Sequence, residues 1–118
     1  MAKFAPQITR QRLLIEGYYS AKIGRREIGK YFRTITAKLK LRMYCKPIIF
    51  SPAGMGKGEN QGYDAFAPLI DSGISVYVWS GAKFASIVIY TCKNFDEKAA
   101  VDATRKFFRM GKAHSKSF

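Results

Sequence analysis

Apolar positions along the chain switch between two periods. Residues 11–19, QRLLIEGYY, set Leu13, Leu14 and Ile15 ahead of two tyrosines and read as a strand. In residues 25–41 the rhythm changes. Ile28, Phe32, Ile35 and Leu39 recur at i, i+4, i+7 and i+11, one apolar stripe of a helix. Lys22, Arg26, Lys30, Arg33 and Lys40 gather on the other side. Residues 42–50, RMYCKPIIF, read as a strand that Pro47 makes an edge or a bulged one. The glycine-rich segment 51–62, SPAGMGKGENQG, reads as a loop. Three strands follow at 63–71, 74–79 and 84–92, the last two joined by an SGAK turn.

Residues 96–111 predict a second helix, with Asp96 at its start, where the dipole favours an acid. Ala99, Ala103, Phe107 and Met110 make its inner stripe, and Lys98, Arg105, Arg109 and Lys112 its outer side. Residues 1–9 read as a basic N-terminal extension and 112–118 as a patternless basic tail. The order β-α-β-β-β-β-α over residues 10–111 predicts a single α/β domain. It is an α+β two-layer sandwich, an antiparallel sheet with both helices on one face. The helices' outer faces are then basic together.

Charge sharpens this picture. The chain has 118 residues, with 21 Lys and Arg against 8 Asp and Glu, a net charge of +13. Residues 1–58 carry a balance of +11, residues 59–102 one of −3, and residues 103–118 one of +5. Clustered cations repel one another unless a polyanion meets them, so the segregation points to nucleic acid or an anionic surface. No apolar run is long enough to span a membrane, and the N-terminus lacks the apolar stretch of a signal peptide. The expectation is an intracellular chain. Cys45 and Cys92 are too few for a disulfide framework, and in a strand-like run Cys45 is expected to be a buried thiol. No Cys/His cluster has metal spacing. GMGKGENQG is not a P-loop, because Lys57 is followed by glycine instead of Ser or Thr and no helix follows. As a hairpin tip it offers Lys57 and glycine N–H groups to phosphates. The aromatics lack an RNP-like pattern and are read as core.

RLLIEGYY, the run Phe50-Ser51-Pro52-Ala53-Gly54, DSGISVYVW and Tyr90-Thr91-Cys92 occur in an order and at a spacing that resemble the short prokaryotic class of S-adenosylmethionine decarboxylase. The resemblance spans roughly residues 10–110, and the loop at 55–62 is longer than usual in that class. It implies an enzyme that cuts its own chain before a serine. The serine hydroxyl attacks the preceding carbonyl and the amide becomes an ester. A base then takes the serine Cα proton and β-elimination follows. Hydrolysis leaves a pyruvoyl ketone, an electron sink for loss of CO2 from a substrate amine.

By this resemblance Ser72 holds the pyruvoyl-forming position, with Asp71 where the family has Glu, and Cys92 holds the proton-donor position. Departures accompany them. Gly73 stands where the family has its first histidine and Tyr77 where it has the processing histidine. Ser80-Gly81 replaces a Pro-Glu pair whose glutamate belongs to the family's substrate pocket. Imidazole titrates near neutrality, whereas a phenol is a far weaker base there. The one histidine, His114, lies in the tail.

These departures predict a non-catalytic descendant in which Ser72, Cys92 and Tyr77 are degenerate remnants and no cofactor is used. The charge predicts RNA binding, as a small ribosomal or ribosome-associated cytoplasmic protein with rRNA and neighbouring ribosomal proteins as partners. No membrane and no small-molecule substrate are expected. The predicted phosphate contacts are Arg10, Arg12, Lys22, Arg25, Arg26, Lys30, Arg33, Lys38, Lys40, Arg42, Lys57, Arg105, Lys106, Arg109, Lys112 and Lys116. The alternatives are a divergent pyruvoyl-dependent decarboxylase of S-adenosylmethionine or an amino acid, with a self-generated pyruvoyl group at Ser72, or an inactive paralogue that regulates one.

Overall fold

Alternating apolar residues give each long strand one face to bury, and two helices cover those faces together. A computed structural model describes residues 4–51 and 61–118. In chain order the elements are β1 (Gln11–Tyr18), α1 (Arg25–Leu39), β2 (Ile48–Phe50), β3 (Gly62–Leu69), β4 (Ser72–Trp79), β5 (Phe84–Thr91), α2 (Glu97–Phe108) and β6 (His114–Ser117). The strands form one sheet in the order β2-β3-β4-β5-β1-β6. All pairings are antiparallel. The expected two-layer sandwich is therefore found, with one strand more than predicted.

Leu13 and Ile15, Ile74, Val76 and Val78, and Ala85, Ile87 and Ile89 point from the central strands into the core. From α1, the predicted stripe of Ile28, Phe32, Ile35 and Leu39 meets them and is buried as expected. Glu27 fixes the start of α1 by accepting from the Gly24 N–H at 2.8 Å. That hydrogen bond holds its carboxyl below the usual carboxylate range. The helix stops where Lys40 turns left-handed at φ 58, with the Leu41 N–H bonded back to the Thr36 carbonyl at 2.8 Å. Asp96 caps α2 by accepting from the Ala99 N–H at 3.1 Å.

α2 departs from its predicted face. Ala100, Thr104 and Phe108 are buried, whereas Ala99, Ala103 and Phe107 are half-buried; Met110, past the end of the helix, is buried as expected. The inner stripe is one residue further along, a rotation of about 100°. The reason is Tyr31. Its hydroxyl hydrogen-bonds the Thr104 hydroxyl at 2.7 Å inside the core, and its ring meets Phe108 at 5.0 Å. An alanine at 104 would leave that buried hydroxyl unpaired. Ala99, Ala103 and Phe107 instead line the groove between the helices.

Two other expectations change. The strand expected over 42–50 reduces to β2, preceded by a single bridge from Met43 to Leu69. Cys45 therefore lies outside any strand and is exposed, not buried. The tail is not patternless either, because His114–Ser117 pairs with β1 as an edge strand. The loop residues 52–60, with Lys57, lie outside the described residues. The sheet face away from the helices is open and carries exposed Tyr18, Ile48, Phe50, Phe66, Tyr77 and Tyr90.

Phe32 is fully buried, so Phe32→Ala should cost on the order of 3–5 kcal/mol in urea unfolding. Burial raises the Tyr31 pKa, against the opposing hydrogen bond from Thr104. The folded chain thus keeps a proton that an unfolded tyrosine loses near pH ~10. Above that pH the unfolded state binds fewer protons, so this contribution to stability falls as pH rises, by up to ~1.4 kcal/mol per pH unit. Tyr31→Phe should flatten the loss of stability between pH 10 and 11 relative to the parent, as followed by urea midpoints (pH values about the reference tyrosine pKa).

Candidate functional site

Leu69 pairs with Ser72, so Ile70 and Asp71 form a two-residue hairpin turn between β3 and β4. Such turns need left-handed backbone, and Asp71 supplies it with φ 57. Aspartate is among the few residues that tolerate that region. The peptide bond from Asp71 to Ser72 therefore leaves a constrained turn and enters a strand. The Ser72 hydroxyl oxygen accepts from the Cys92 N–H at 3.2 Å, just past the end of β5. Two residues twenty positions apart thus meet at one end of the sheet. Ser72 is half-buried, as is Cys92.

Two hollows flank this contact, and Asp71 lines both. One, about 300 Å³, opens on the uncovered sheet face among Phe66, Ser72, Gly73, Ser75, Val88 and Tyr90. The other, about 160 Å³, lies between the end of α1 and the end of β5, among Lys40, Arg42, Leu69, Cys92 and Lys93. Phe66 and Lys93 were not singled out in the sequence, and Tyr90 was named only as a neighbour of Cys92 in the Tyr90-Thr91-Cys92 run. Lys93 had a signal, its place next to Cys92. Phe66 had none, and no signal assigned the Tyr90 ring to this hollow, because strand pairing alone brings the two rings beside Ser72.

The other expected remnant is not at this site. Tyr77 lies five residues along β4 from Ser72, roughly 17 Å at strand spacing, and on the open face. It does not reach Ser72 of its own chain. Ser80-Gly81 sits at the far end of the same strand. Gly73 is beside Ser72, and a Cβ there would lie 2.8 Å from the Phe66 ring. Phe66 thus occupies the space into which a side chain at 73 would extend. His114 does come to the sheet through β6. It pairs with Glu16, which accepts from the Ser86 hydroxyl at 2.9 Å, in the row that continues to Tyr77 and Asp64. β6 is three strands from β4, so His114 stands roughly 14 Å to the side of that strand.

The cations do not form one patch. Arg25, Arg26, Lys30, Arg33, Lys38, Arg105, Lys106 and Arg109 are exposed on the helices or their ends. Lys30, Lys38 and Lys106 line the interhelical groove, of about 1030 Å³, together with Asp96 and Asp102. Arg12 is elsewhere, on the open sheet face, with its guanidinium 5.3 Å from the Phe118 ring. Lys116 lies on β6 opposite Leu14. Arg10 donates to the Phe4 carbonyl. Lys22, Arg42 and Lys112 are exposed in connections, and Lys40 caps α1. The strand topology divides what the sequence groups. Among the described residues no group of three His, Cys, Asp or Glu could hold a metal ion. No described helix is long and apolar enough to cross a membrane.

A family model for S-adenosylmethionine decarboxylase matches residues 24–118. No curated protein matches. Among solved structures, the chain resembles the crystal structure of an adenosylmethionine decarboxylase from Aquifex aeolicus VF5, with a TM-score of 0.73 and 18% identity. The match covers 94% of this chain and 89% of that one. At that identity the likeness carries the fold.

Close contact distinguishes two glycines. A Cβ on Gly62 would fall 1.8 Å from the Val78 carbonyl oxygen, which is backbone, whereas Gly73 meets only the end of an exposed ring. Gly62→Ala should therefore destabilise by about 1–3 kcal/mol or more, and Gly73→Ala by less than about 1 kcal/mol, compared by urea midpoints.

Proposed function

The chain belongs to the S-adenosylmethionine decarboxylase family, and on that premise we propose that it is a pyruvoyl-dependent decarboxylase that matures by cutting itself between Asp71 and Ser72. The observation that carries the proposal is the Ser72–Cys92 contact beside a left-handed Asp71. These are the serine and the thiol that the family's chemistry requires. They lie at the start of β4 and just past the end of β5, which the antiparallel pairing of these two consecutive strands brings to one end of the sheet.

In maturation the Ser72 oxygen forms a bond to the Asp71 carbonyl carbon as the C–N bond breaks, giving an ester. Removal of the Ser72 Cα proton then expels Asp71 as a free carboxylate. Water replaces the nitrogen of the resulting enamine, and ammonia leaves. The residues present fit the product. Ser72 opens a strand next to an accessible hollow, and Gly73 adds no side chain of its own beside it. A pyruvoyl ketone there supplies an electron sink for loss of CO2. Cys92 would return a proton to the substrate carbon. The Cys92 N–H holds the Ser72 oxygen in place before the cut. Phe66 and Tyr90 wall the hollow with two aromatic rings. Asp71 is the carboxylate shared by both hollows and the candidate base for the Cα proton. A carboxylate is a weaker base than an imidazole, so maturation should be slow.

Two observations favour a second reading, the non-catalytic RNA-binding protein. Neither hollow at Ser72 is lined by a histidine, and Lys30, Lys38 and Lys106 stand together over the helices. Intact-mass spectrometry after prolonged incubation separates the two. The proposal expects two polypeptides, the second running from residue 72 to Phe118 with an N-terminus blocked to Edman sequencing, and none from Ser72→Ala. A single 13.3 kDa chain that persists and copurifies with RNA released by salt would replace the proposal with the second reading.

A further inference from the structure

The smaller hollow beside Cys92 has a charge that decarboxylation alone does not explain. Three exposed basic residues from two segments, Lys40 and Arg42 after α1 and Lys93 after β5, line it. Lys40 is placed by the left-handed cap of α1. Arg42 is set by its carbonyl, which accepts from the Ile70 N–H at 3.2 Å. Lys93 reaches across and donates from Nζ to the Lys40 carbonyl at 3.4 Å. Asp71 is the one carboxylate lining the hollow. Among the described residues no ion pair ties any of the three cations to an acid; the one ion pair is Lys98–Asp102. Like charges collected around so small a space repel unless an anion answers them.

That anion is not the carboxylate that departs. A carboxylate leaving as CO2 loses its charge on the way to the transition state. A cation bound to it would stabilise the ground state more than the transition state and slow the reaction. The cations therefore suit a second acid group that keeps its charge throughout. At about 160 Å³ the hollow is also smaller than the roughly 300–1,000 Å³ of pockets for drug-sized ligands, so it holds a short side chain and not a nucleoside.

We infer that the Lys40–Arg42–Lys93 hollow binds the side-chain carboxylate of an acidic amino acid, and that this chain's substrate class is dicarboxylic. S-adenosylmethionine, a sulfonium cation, meets net positive charge there and is disfavoured. The inference rests on the proposed decarboxylase only for its catalytic meaning, since the binding is read on a chain that cannot mature.

The test is isothermal titration of full-length Ser72→Ala protein at low salt with L-glutamate, L-aspartate and S-adenosylmethionine as separate probes. Saturable binding of an acidic amino acid is expected, tighter than that of S-adenosylmethionine. Adding Arg42→Gln should weaken it about tenfold, the loss of one charge-assisted contact. Lys93→Gln serves in its place if the Arg42 variant does not retain the parent's melting temperature. Tighter binding of S-adenosylmethionine, absence of binding by both acidic amino acids, or indifference to the folded variant overturns the inference. Acidic amino-acid binding with the wild-type chain uncut would leave the inference standing and sink the maturation. A cut chain whose Ser72→Ala form ignores both acids would do the reverse.

Discussion

The register of β4 between β3 and β5 is the constraint on which the rest depends. It turns Ile74, Val76 and Val78 to the helices and Tyr77 to the open face. It also brings the first residue of β4 level with the end of β5, so that the Ser72 oxygen meets the Cys92 N–H. A slip of one residue would turn Tyr77 inward and move Ser72 off Cys92 together. Core and site thus share one determinant. The tight turn at Ile70–Asp71 pins that register, and the burial of the inner face enforces it.

Legibility in the sequence followed the strength of each local signal. α1 could be read because four bulky residues mark one stripe. The face of α2 could not, because adjacent Phe107 and Phe108 each complete a plausible stripe with small residues. The choice falls to Tyr31, seventy-three positions from its partner Thr104 in the chain. β6 is invisible for another reason. HSKS has no apolar face, since an edge strand over a solvated surface needs only backbone partners. The serine and thiol of the site were readable through resemblance and spacing. Tyr77 took part in that reading by position, yet strand geometry holds it a strand's length from Ser72. Lys93 could not be grouped with Lys40 and Arg42 beforehand, because the end of β5 meets the end of α1 only in the folded chain.

Basic composition was the strongest feature of the sequence and the least specific in the structure. Side chains from the same basic half of the chain part to opposite layers, Arg12 to the sheet and Arg25 to the start of α1. Net charge governs solubility and encounter with polyanions whatever the fold, and so it does not single out a site. A few cations gain meaning by convergence instead.

β6 gives the sheet an unusual weave. Were the chain divided between Asp71 and Ser72, one peptide would own β1, β2 and β3 and the other β4, β5 and β6. Across the sheet these alternate in blocks, so the seams β3–β4, β5–β1 and β1–β6 each join one peptide to the other. β1 would be gripped on both sides by strands of the other peptide. The helices cross-link them again, because α1 and α2 belong to different peptides and share the Tyr31–Thr104 bond. The halves could then part only by tearing three ladders and the core at once. A four-residue tail strand would act as the clasp that keeps a severed backbone working as a single body.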